Sequence, residues 1–98
     1  MNKNTKKPRH MAVYEAIVTV QTVEECIALF DDLLSVAELR AMEQRYQVAQ
    51  MLDEGMVYSG ILERTGASSA TISRVNRTLQ NYGDGYRLAF ERMKEQGK

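Results

Sequence analysis

The chain has 98 residues, 44% of them hydrophobic and 27% charged, with one cysteine, one histidine and one proline. That length allows one domain with a modest core, and the apolar share is too high for a chain disordered throughout. The lone Cys26 and His10 exclude an internal disulfide and a Cys/His metal set, and a formal net charge of zero gives no uniform attraction to a polyanion.

Residues 1–10 are polar and basic with no apolar stripe, and are expected to be a disordered tail. Residues 11–98 are expected to form the single folded domain. A first helix is predicted over Met11 to Val18, with Val13, Tyr14, Ile17 and Val18 as its apolar positions. It should end where Thr19 and Val20 bring β-branching. Thr22, with Glu25 three residues later, has capping-box form and opens a second helix to about Leu34. Its seven apolar residues, from Val23 and Cys26 to Leu33 and Leu34, are too many for one stripe, so cover on more than one side is expected. Ser35 with Glu38 repeats the pattern and starts the longest helix, running to about Glu54 with Gly55 as its stop. Leu39, Met42, Tyr46, Ala49 and Leu52 share one face of it, and Val36, Val48 and Met51 lie around another. A helix this apolar in so short a chain predicts burial by a second subunit.

The segment from Tyr58 to Leu79 carries the strongest signal. A short helix from about Ser59 to Thr65 directs Ile61, Leu62 and Thr65 inward. Gly66 supplies the residue best able to take positive φ, as a sharp helix-to-helix turn requires. Ser68 or Ser69 caps a second helix whose inward positions are Ile72, Val75 and Leu79. Ser69, Ala70, Thr71, Ser73 and Asn76 face outward with Arg74 and Arg77. Small side chains let a helix backbone approach base edges, and flanking arginines reach phosphate or guanine. The pattern is that of a helix-turn-helix. Asn81 to Gly85 then form a breaker cluster, and a last helix is expected over Tyr86 to Glu95, with Leu88, Ala89, Phe90 and Met93 available to pack. The fold class is all-α, with about six helices.

Between Leu34 and Leu79 the chain resembles the tryptophan repressor family, and within it the YerC/YecD type. The residues carrying the likeness are Leu34, Ser35, Glu38, Ala41, Met42 and Arg45, then Gly55 and Met56, then Gly66, Ala67 and the run Ala70-Thr71-Ile72-Ser73-Arg74. The resemblance implies an intertwined homodimer whose two reading heads enter successive major grooves of double-stranded DNA about 34 Å apart. It implies a transcriptional regulator, most simply a repressor; with no signal peptide and no apolar run of membrane-spanning length, the protein is expected to be cytoplasmic and not associated with membrane. In the family a tryptophan lies between the long helix and the reading head and tilts that head into register. Arg45 and Arg74 match the arginines on either side of the indole, and Ser35 and Thr78 match hydroxyl positions near it. Arginine and hydroxyl groups suit an amino-acid zwitterion. Two departures argue against tryptophan itself: Val75 stands where the family has glycine, and Asp32 where a leucine would add apolar wall. The expectation is no required cofactor, with a small effector other than tryptophan still admissible.

Charge is strongly uneven along the chain. Residues 1–23 carry net +3, residues 24–54 net −6, residues 55–81 net +2 and residues 82–98 net +1. An acidic body with a basic head orients on a polyanion. The expected DNA-reading set is Arg64, Ser68, Ser69, Ala70, Thr71, Ser73 and Arg77, with Arg64 and Arg77 mainly on phosphates. The alternative is a dimeric protein-interaction module without specific DNA binding, which exposure of Tyr58 and Leu62 on the first motif helix would support. No enzyme is expected, since no nucleophile, base and phosphate loop can be assembled, and no signal segment or membrane-spanning run is read.

Overall fold

The computed structural model describes residues 8–97. Among them are six α-helices and no strand: α1 Met11–Val18, α2 Val23–Leu33, α3 Val36–Asp53, α4 Tyr58–Thr65, α5 Ser69–Asn81 and α6 Asp84–Glu95. Most of the tail expected to be disordered lies outside the described residues. The chain divides into two compact units, with the division between Ala41 and Met42 inside α3.

The unit ending at Ala41 is built by local capping. Thr19 closes α1 by donating its hydroxyl to the Ala16 carbonyl at 2.6 Å. Thr22 Oγ1 accepts from the Glu25 amide at 3.1 Å, while Glu25 Oε1 accepts from the Gln21 amide at 2.9 Å. The carboxylate therefore reaches one residue further back than the simple pattern predicts. At α3 the box is reciprocal: Glu38 N donates to Ser35 Oγ at 3.2 Å and Ser35 N donates to Glu38 Oε1 at 2.8 Å. Those bonds to Ser35, the backbone one foremost, hold the Glu38 carboxyl below its ordinary range. Neither α1 nor α2 has a buried residue within the chain. Val18 is 81% exposed, Val36 71% and Val23 69%, and Cys26 is only half-buried rather than enclosed.

The unit from Met42 onward holds the core. Val48 and Ala49 of α3, Ile61 of α4, Ala67 of the turn after it, Ile72, Val75 and Leu79 of α5, and Phe90 of α6 are all buried. Full burial of a side chain such as Ile61 or Ile72 stabilises by about 1.5–3 kcal/mol. Tyr46, Tyr86 and Phe90 form an aromatic trio with centroids 5.6 to 6.3 Å apart. Burial pushes the Tyr86 phenol above its usual range, opposed by the positive charge of Arg45. Gly55, at φ 85°, ends α3 as expected: its amide donates to Leu52 O and the Met56 amide to Met51 O, both at 3.0 Å. Met51 and Met56 pack against the core around that turn.

Two expectations are corrected. Leu62 is 47% exposed, because Ile61 and Thr65, four residues apart, already define the inward stripe of α4 and Leu62 lies around the helix from it. The last helix begins at Asp84 rather than Tyr86, because Gly83 at φ 74°, and not Gly85, takes the left-handed turn.

Candidate nucleic-acid interface

α4 and α5 are joined through Gly66, which adopts φ 71° and ψ 6°, and its amide donates to Leu62 O at 2.8 Å. Thr65 fastens the same corner. Its hydroxyl donates to Ile61 O at 2.7 Å and accepts from the Ala67 amide at 3.1 Å. Gln44 of α3 donates to Thr65 O at 3.2 Å, tying the turn to the long helix. With Ala67 1% exposed, the corner is seated in the core rather than suspended from it.

Ser68 is the residue that caps α5. Its Oγ accepts from the Thr71 amide at 3.1 Å, and its hydroxyl donates to Thr71 Oγ1 at 3.1 Å. Ile72, Val75 and Leu79 are buried at the predicted spacing, which leaves the opposite side of α5 turned outward. Ser69, Ala70, Arg74 and Arg77 are exposed there, and Thr71, Ser73 and Asn76 are half-buried. Arg64 is exposed in the last turn of α4. The expected reading residues thus gather on α5, its cap and the end of α4. Small groups at the front of α5 and cations beside them suit approach to base edges with phosphate contacts alongside.

The expected effector residues are placed less tightly. Arg45 is exposed on α3, close enough to Tyr86 to act on its phenol. Arg74 is exposed on α5, and Thr78, one turn on, donates its hydroxyl to Arg74 O at 3.2 Å. Ser35 belongs to the other unit, where both its amide and its hydroxyl are engaged with Glu38. Val75 is 4% exposed and is part of the core, so its side chain fills space rather than lining an opening.

Gln44 and Arg87 bond to backbone carbonyls of the α4–α5 hairpin and were not picked out from the sequence. Arg87 of α6 donates to Tyr82 O at 2.5 Å and also to Leu79 O, the carbonyls at the end of α5. A cation soon after a helix end was the available signal. Gln44 gave none, since its partner is a backbone carbonyl 21 residues away.

A family profile described as Trp repressor protein matches residues 9–94. The uncharacterised protein YerC of Bacillus subtilis (strain 168) is 48% identical over 84 residues, covering 85% of this chain and 80% of its own. A Staphylococcus aureus protein provisionally assigned as a Trp repressor superposes with a TM-score of 0.80 at 45% identity, over 84% of this chain and 82% of its own. A TrpR-like protein from Eubacterium eligens ATCC 27750 gives 0.79 at 46%, over 84% of each chain. Among the described residues no helix is long and apolar enough to cross a membrane. The family profile spans nearly the whole chain, and the solved relatives share its arrangement of helices. The chain belongs to the Trp repressor family, whose members are helix-turn-helix DNA-binding regulators.

Proposed function

We propose that this protein is a homodimeric transcriptional regulator, most simply a cytoplasmic repressor, that binds a specific double-stranded operator through α5. Ser68, Ser69, Ala70, Thr71 and Ser73 approach the bases, while Arg64 and Arg77 hold phosphates. The observation carrying this reading is the capped, outward face of α5, small and polar at its front and backed by fully buried Ile72. Second-subunit cover is supported by Val18, Val23 and Ile27, which are 81%, 69% and 55% exposed in the single chain. Arg45, Arg74, Thr78 and Ser35 are the residues a small effector would meet. Tryptophan is disfavoured by the buried Val75, and no cofactor is required.

The test is selection of genomic fragments by the purified protein, with and without a pool of amino acids. A common, roughly palindromic site is expected without any addition. Amino-acid dependence would instead assign Arg45 and Arg74 to an effector. A second reading is favoured by Val57, Tyr58 and Leu62 at α4, which are 68%, 39% and 47% exposed. If no site is recovered and a partner protein protects that patch, the chain is a protein-interaction module.

A further inference from the structure

We propose that Arg87 is a positioning residue that fixes the orientation of α5 for reading DNA; this rests on the function argued above. A reading helix discriminates between sequences only if its axis is held, because base contacts depend on the direction of approach. The front of α5 is held by Gly66, Thr65 and the Ser68 cap. Its far end leaves carbonyls without helical donors. Arg87 meets that need at two points, the carbonyls of Leu79 and Tyr82.

The space for this contact is made by Gly83. A Cβ there would lie 3.0 Å from Arg87 Nη1 and 3.2 Å from both Leu79 Cα and Leu79 O. One residue before Arg87 on α6, Tyr86 stacks on Phe90 and faces Tyr46 of α3. Adjacent side chains of α6 therefore grip α3 and the end of α5. The planar guanidinium fixes two donor directions at once, which a single ammonium on a flexible stem does not. The head is thus braced at both ends by the chain's own side chains, a role the family resemblance assigns to a bound small molecule.

The experiment compares parent, Arg87→Lys, Arg87→Met and Gly83→Ala as full chains, well below their melting temperatures. Operator and random-DNA affinities are measured across a salt series. Lysine preserves charge but not the fork, and alanine at 83 crowds the joint from the other side. Arg87→Lys and Gly83→Ala are expected to lower the ratio of operator to random-DNA affinity by about tenfold or more, the scale of one lost base contact. Random-DNA affinity and the salt slope should stay at parent values, including in Arg87→Met. Parent-like ratios in both variants would reduce Arg87 to a simple helix cap and overturn the proposal. So would full retention by lysine with a salt slope about one lower in Arg87→Met, the mark of a phosphate contact. If the parent itself prefers no site, it is the DNA-reading function that fails.

Discussion

Thr71 sits in the first turn of α5, its amide held by Ser68 Oγ and its hydroxyl accepting from the Ser68 hydroxyl. The backbone there does not depend on the Thr71 side chain, because the cap acts on its amide. Replacing Thr71 with Glu therefore leaves the helix start intact while placing a carboxylate on the face proposed to meet DNA. Operator affinity should fall about a hundredfold or more, combining a lost base contact with like-charge repulsion. Circular dichroism and sedimentation should match the parent. Unchanged operator affinity would move the reading surface away from α5. Gly66 poses a different question, because no atom lies within 4 Å of a Cβ built on it. An added Cβ there meets only torsional strain. Gly66→Val should cost about 2 kcal/mol for a β-branched residue at φ 71°, lowering Tm by roughly 10 °C in a domain of this size. A parent-like Tm would mean that the turn does not need the left-handed conformation.

At the scale of elements, what could be read in advance was whatever the chain encodes locally. Thr22 with Glu25, Ser35 with Glu38, Ser68, Gly55 and Gly66 each mark a boundary through bonds spanning a few residues, and each stands where the spacing placed it. The inward set Ile72, Val75 and Leu79 followed from helical period alone. Choices between equivalent local signals were not legible. Gly83 and Gly85 both stand in the breaker cluster, and only packing against Leu79 and Arg87 selects Gly83 for the turn. Helical spacing grouped apolar Leu62 with Ile61 and Thr65 as inward, whereas its own angular position on α4 leaves it outside. The bonds from Gln44 to Thr65 and from Arg87 to Leu79 join separate helices through backbone carbonyls, which have no signature in residue type. The outward face of α5 was therefore largely visible in the sequence, while the long-range bonds at its two ends were not.

For the whole molecule, the two units differ in how far they complete themselves. The unit from Met42 encloses its own core, whereas α1 and α2 enclose nothing of their own. Val18 offers a direct measurement of what covers them. In a lone chain a residue 81% exposed tolerates substitution within about 0.5 kcal/mol. In the proposed dimer the same residue is covered, and Val18→Asp buries an unpaired carboxylate. Sedimentation should show the parent as a dimer and the variant shifted strongly toward monomer; identical masses at all concentrations would exclude this face from the interface. The interleaving on α5 has a consequence for how such a protein changes its target. Ile72, Val75 and Leu79 carry the packing, while Ser69, Ala70, Ser73 and Arg77 alternate with them on the other side of the same helix. Under the proposed function, recognition and folding are thereby written in separate letters of one short segment. A lineage, or a combinatorial library, can rewrite the outward letters and acquire new operators without first having to rebuild the scaffold.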